Sequence, residues 1–170
     1  MSINIRLINK SDLSAVVAIQ DSCYGDELFE DASLIQRRLA SQPDSCWLAE
    51  NHSKEVLAYL FSYPARDKQV AALGSEFPRY TEAELLYLHD MAVGQNARSL
   101  GLASRLLGYA EQHAVELGFS RLALVAVQGS VPYWQKHGFV VVNLSSPEAT
   151  TALASYSGQN AMYMQKSLAR

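Results

Sequence analysis

The stretch from Leu85 to Leu117 constrains the fold most. Glu84-Leu85-Leu86-Tyr87-Leu88-His89-Asp90-Met91-Ala92-Val93 is mostly apolar, as a central strand covered on both faces requires. Ala103, Leu106, Leu107, Ala110, Ala114 and Leu117 then recur at the spacing of one helical face, and Gly118 supplies a C-terminal stop. Arg121 to Val127 is a second buried strand, so the pattern predicts a strand, helix, strand unit with a right-handed crossover. Between strand and helix lies Gly94-Gln95-Asn96-Ala97-Arg98-Ser99-Leu100-Gly101-Leu102-Ala103. A helix N-terminus offers unpaired N–H groups and partial positive charge, and Gly101 and Ala103 are small enough for an anion such as a diphosphate to approach the backbone. Neither G-x-x-x-x-G-K-[ST] nor G-x-G-x-x-G is present; what remains is Arg-x-x-Gly-x-Ala.

The surrounding chain reads as alternating elements. Ile3, Ile5 and Leu7 alternate as in a half-buried strand, and Ser11-Asp12 precedes a helix carrying Leu13, Val16, Val17 and Ile19. A second helix is expected over Ala32 to Ala40. Cys46 to Ala49 and Val56 to Tyr63 form an antiparallel hairpin across Glu50-Asn51-His52-Ser53-Lys54. Residues 64–83, broken by Pro64, Gly74 and Pro78, read either as a lid over an acceptor site or as a surface insertion. After the second buried strand come a short helix from Val131 to His137, a strand from Phe139 to Asn143 and a last strand within Ala161 to Lys166. With 170 residues, one domain over 1–170 is expected, in the α/β class.

Several function classes lose support. The net charge is −3 and the basic residues are scattered, which argues against nucleic acid as a partner. Cys23 and Cys46 lie apart, without a Cys-x-x-Cys or a His at ligand spacing, so no metal site or disulfide framework is signalled. No apolar run approaches membrane-spanning length and the N-terminus lacks a signal-peptide core, so a cytoplasmic location is expected and no membrane partner.

Arg98-Ser99-Leu100-Gly101-Leu102-Ala103, following Met91-Ala92-Val93, is similar to the acetyl-CoA signature [Q/R]-x-x-G-x-[G/A] of the GNAT N-acetyltransferases. Val131-Pro132-Tyr133-Trp134-Gln135-Lys136-His137-Gly138-Phe139 resembles the family's second signature, F-Y-x-x-x-G-F. Within the family, Leu88 to Val93 and the Val-Pro-aromatic-aromatic stretch most resemble the arylalkylamine (serotonin) N-acetyltransferase branch. The resemblance implies a GNAT acyl-CoA N-acyltransferase fold: a mixed central sheet of six to seven strands, splayed at its centre and flanked by about four helices. It implies acetyl-CoA as co-substrate and no metal, with pantetheine along Met91, Ala92 and Val93 and the diphosphate on Arg98, Ser99, Leu100, Gly101, Leu102, Ala103 and Ser104. Gln128, Ser130, Trp134 and Lys136 are further candidate contacts.

The activity so implied is direct transfer of acetyl from acetyl-CoA to a primary amine, with small molecules as the expected acceptors. A GNAT domain that binds acyl-CoA without catalysis, as a sensor or docking module, is the alternative, and homodimerisation is left open. An alkylammonium with a pKa of ~10.4 must lose a proton before attack, and the departing thiolate must gain one. His89 is the base candidate, matching a catalytic His of the serotonin-acetylating branch; a structural His is the alternative, with Glu84 and Asp90 as lesser bases. Strand alternation predicts that Asp90 points away from the His89 face. The family's acid is the second aromatic of the F-Y pair, which here is Trp134, so Tyr133 is the candidate although it stands one residue, about 100°, away on a helix. Tyr24, Tyr87, solvent, or weak catalysis are the other outcomes.

Overall fold

The computed structural model describes residues 2–24, 28 and 30–168. Seven strands form one mixed sheet: β1 (Ile3–Leu7), β2 (Cys46–Asn51), β3 (Val56–Ala65), β4 (Leu85–Val93), β5 (Arg121–Ala126), β6 (Val140–Val141) and β7 (Met162–Ser167). They lie in the order β1-β2-β3-β4-β5-β7-β6. Only β4 and β5 are parallel; every other neighbouring pair is antiparallel. The α-helices among the described residues are α1 (Leu13–Cys23), α2 (Ala32–Ser41), α3 (Leu102–Glu116), α4 (Val131–Lys136) and α5 (Pro147–Ala154).

The alternation of side chains along the strands gives the sheet two apolar faces. On one, Leu86, Leu88, Leu122 and Leu124 meet the stripe Leu102, Leu106, Leu107, Ala110 and Ala114 of α3, joined by Phe139. On the other, Tyr59, Phe61, Tyr63 and Tyr87 meet Val16 and Ile19 of α1 and Ile35 and Leu39 of α2. Small residues at 110 and 114 are fully buried, so α3 can lie close against the sheet.

Several boundaries differ from expectation. The N-terminal cap of the first helical segment is Asn9, which forms a capping box with Asp12 around a 3-10 turn, Lys10–Asp12, that leads into α1. Pro64 does not break β3 but pairs with Leu86, since β3 runs to Ala65. The strand expected from Phe139 to Asn143 is reduced to Val140–Val141, at the edge beyond β7. Helix α5 was not anticipated, although Ser146 caps it by accepting from the Ala149 N–H and Pro147 occupies its first turn, a readable helix start. It brings the α-helices to five where about four were expected.

The connection from 66 to 84 packs against its surroundings. Leu73 N–H donates to Ser155 Oγ at 2.9 Å, Tyr156 donates to Ala71 O at 2.9 Å, and Lys68 N–H donates to the Tyr163 hydroxyl at 3.1 Å. Phe77 is buried against Tyr63, with ring centroids 4.6 Å apart. These bonds tie the segment to β7 and to the residues that follow α5.

Candidate functional site

The site begins where two strands stop pairing. β4 and β5 are in register at Leu86–Leu122, Tyr87–Ala123 and Leu88–Leu124, and beyond these they part. The gap opens into a cleft of about 660 Å³. In a strand, the N–H and C=O of one residue face the same neighbour. Tyr24 reaches the carbonyl of Met91 at 3.0 Å and Cys23 Sγ reaches that of Val93 at 3.3 Å, both from the side that β5 has vacated. The amides of Met91 and Val93 therefore face the gap.

At the far end of the cleft the chain turns through a 3-10 segment, Gln95–Leu100, into α3. Gly101 makes the junction at φ +68°, where a side chain would be strained, and the space beside its Cα is open. Arg98, Gly101, Leu102, Ala103 and Ser104 border the cleft here. The unpaired amides of the first turn of α3, with a cation alongside and no bulk at Gly101, fit an anionic diphosphate. Ser99 and Leu100 do not border the cleft: the tight 3-10 turn leaves both exposed.

The opposite wall is α4. Ser130, Tyr133, Trp134 and His137 line the cleft at i, i+3, i+4 and i+7, which is one helical face. Trp134 packs inward on Phe139, with ring centroids 5.5 Å apart, whereas Tyr133 stands at the mouth, 41% exposed, its ring 4.8 Å from that of His137. Both aromatics thus reach the cleft, so the one-residue offset does not exclude Tyr133, nor is Tyr133 a core residue. Burial raises its hydroxyl pKa above the ordinary tyrosine value. Lys136, two residues past Trp134, faces away from the cleft wall and is exposed. Gln128 borders the cleft with φ +56°, in the turn after β5.

His89 and Asp90 depart from simple alternation. The β3–β4 register shifts between Phe61 and Ser62, which pair with Asp90 and Leu88, so His89 is the extra residue of a bulge. Asp90 is therefore on the same face as His89, contrary to expectation. Tyr24 and Tyr59 donate to its two oxygens at 2.9 and 2.8 Å. Burial raises the Asp90 carboxyl pKa, and the neighbouring His89 and the two tyrosines offset this only in part. The Tyr24 hydroxyl is shared between Asp90 and Met91 O, and Tyr24 borders the cleft. Tyr87 is buried, among Tyr63 and His89.

The His89 side chain is 3% exposed, and its Nε2 lies 3.3 Å from Oε1 of Glu30. Glu30 is joined by Arg38 through two bonds of 2.6 and 2.7 Å and by the Gly74 N–H at 2.9 Å. Burial works against charge on Glu30, but the bonds from His89 and Arg38 outweigh it and hold the carboxyl well below the usual range. Glu30 and Arg38 gave no signal in the sequence, since they meet His89 only through the fold. Cys23, Val125, Val127 and His137 also border the cleft unanticipated; periodicity from the Trp134 position would have found His137.

Among the described residues no helix is long and apolar enough to cross a membrane, and no group of three or more His, Cys, Asp or Glu could hold a metal ion. Cys23 and Cys46 are both free, and burial pushes the Cys46 thiol up to about 12.

The fold is shared with solved structures. The chain is similar to a GphF GNAT-like decarboxylase in complex with isobutyryl-CoA (TM-score 0.75, 18% identity, covering 98% of this chain and 100% of that one). It is similar to an acetyltransferase of the GNAT family from Staphylococcus aureus (TM-score 0.71, 14% identity, 99% and 100% covered). A third is the ribosomal-protein-S18-alanine N-acetyltransferase from Escherichia coli (TM-score 0.67, 12% identity, 99% and 96% covered). At these identities the likeness shows the fold alone. No curated protein sequence matches the chain. The model of the acetyltransferase (GNAT) family matches residues 13–139, from the start of α1 through the β4–α3 turn to Phe139, and the chain belongs to that family.

Proposed function

We propose that the protein transfers an acetyl group from acetyl-CoA to a primary amine of a small molecule, by direct attack with both substrates bound. The observation that carries this reading is the parting of β4 from β5 beyond Leu88 and Leu124, with the first turn of α3 at the end of the gap. Arg98 and the amides of Gly101 to Ser104 would hold the diphosphate, and the edge of β4 at Met91, Ala92 and Val93 the pantetheine arm, with Gln128 and Trp134 on the other wall. When bound, acetyl-CoA supplies an acetyl thioester, which the amine attacks with release of the thiol.

This chain's residues supply the rest. The acceptor ammonium, at an ordinary pKa of ~10.4, gives up a proton to His89. The Met91 N–H donates toward the oxygen on which negative charge develops, and acts in a site where its dipole is already oriented. Tyr133, at the cleft mouth, donates a proton to the departing sulfur and regains one through solvent, while the nitrogen gives up its second proton as it becomes the amide. The likeness of Leu88 to Val93 to the arylalkylamine branch and the packed 66–84 segment favour a small acceptor over an extended peptide.

The test is thiol release from acetyl-CoA across a panel of small primary amines, with the acetylated product identified by mass. Tight acetyl-CoA binding without release above background for any amine would replace this reading with a binding module.

A further inference from the structure

Glu30 lies in the connection between α1 and α2 and ties three parts of the molecule together. Its carboxylate meets Arg38 of α2, the Gly74 N–H of the 66–84 segment, and His89 of β4. An ionised carboxylate only accepts hydrogen bonds. The His89 nitrogen facing it is therefore the donor, and Nε2 carries the hydrogen. In a neutral ring the lone pair then sits on Nδ1. That Nδ1 is buried and has no hydrogen-bond partner among the described residues. Buried polar atoms are almost always satisfied, so an unpartnered Nδ1 on a residue that borders a cavity points to a donor that comes from outside the protein. His89 borders the large cleft and also a smaller cavity of about 40 Å³, where Tyr24, Leu73, Asp90 and Tyr156 complete the wall. That space admits a water or the head of a small amine. Phe77 and Tyr87, with ring centroids 5.3 and 6.4 Å from that of the imidazole, pack against it.

We propose that Glu30 is a positioning residue that locks His89 in the Nε2–H tautomer, so that Nδ1 is the atom that takes the proton from the acceptor amine. The inference rests on the transferase reading above. One N–H bond of the ammonium breaks and an Nδ1–H bond forms; the resulting imidazolium keeps its Nε2–H on the Glu30 carboxylate, and the proton later leaves to solvent, restoring the neutral ring. The charged and titratable groups around the ring are Glu30 and its partner Arg38, Asp90 on the same strand, and the hydroxyls of Tyr24, Tyr87 and Tyr156. Glu30 touches the ring whereas Arg38 acts only through Glu30, so removing both is governed by the loss of the carboxylate.

The proposal is tested first without a substitution. Long-range nitrogen–proton correlation NMR of the full chain labelled at histidine should show His89 as the Nε2–H tautomer at neutral pH; the Nδ1–H form would overturn the proposal. The second arm uses Glu30→Gln/Arg38→Met, which removes both members of the buried ion pair together. His89 should become a mixture of tautomers, kcat/KM should fall 10- to 100-fold, and the acid limb of its pH profile should move to lower pH, with CoA affinity within twofold of the parent. An unmoved limb with an unchanged rate overturns the positioning role. A parent protein that shows the Nε2–H tautomer but releases no thiol with any amine overturns the transferase reading instead.

Discussion

His89 and Asp90 are consecutive on β4 yet both face the layer of α1 and α2, because the bulge opposite Phe61 and Ser62 cancels one step of the strand's alternation. The pair thereby stands at the point where β4 loses β5, with Asp90 held by two tyrosine hydroxyls. Tyr59→Phe removes the donor 2.8 Å from Oδ2 and leaves a buried carboxylate short of a bond. A loss of about 1–3 kcal/mol is expected in urea unfolding, with CoA affinity unchanged. An unaltered midpoint would show that the bond contributes nothing.

Gly101→Glu should abolish CoA binding. The residue sits at φ +68°, and the new carboxylate would stand in the open space proposed for the diphosphate. Calorimetric titration should show at least a tenfold weaker Kd, which is about 1.4 kcal/mol. Gly101→Ala, which carries the strain without the charge, serves as the control and should bind more tightly than Gly101→Glu.

Tyr133→Phe keeps the ring contacts with Trp134 and His137 while removing the hydroxyl. If Tyr133 is the acid, kcat should drop about 10²-fold with CoA affinity retained. Because burial raises the pKa of this hydroxyl, it stays protonated through neutral pH, and the parent's rate should decline only above the ordinary tyrosine range of ~10. Unchanged kcat would return the thiolate proton to solvent.

Glu30 gives the fold a dependence on acid. Its folded pKa lies below its unfolded value of ~4.3, so its contribution to stability is complete above that pH and is lost as pH falls beneath it. The single variant Glu30→Gln leaves the buried Arg38 unpaired and should cost about 3–5 kcal/mol at pH 7. Urea titrations from pH 7 to 2 should show the gap between parent and variant closing below about pH 4. A gap independent of pH would contradict the ionised pair.

The β4–α3–β5 unit was legible because it is local: continuous apolar runs define the strands, and α3 shows a full stripe at helical spacing. The turn at Gly101 was legible for the same reason. Helix α5 was missed although its Ser-Pro start was present, and Ser99, Leu100 and Lys136 were carried along by motif position when the 3-10 turn and the helix phase direct them away from the cleft. The alternation rule failed at Asp90 because a bulge leaves no mark in a single strand's residues; it is a property of the pairing with β3.

The sequence by itself determined the succession of elements from β1 to α4, the glycine turn into α3 and the residues of the α3 stripe, all of which depend on spacings within one element. The tertiary structure decided how far β4 and β5 stay paired, which face His89 and Asp90 share, and that Glu30, 59 positions from His89, closes on it from the α1–α2 connection. Such contacts arise from the packing of whole layers, in which buried charges must find partners, and no local pattern of residues encodes which partner that will be.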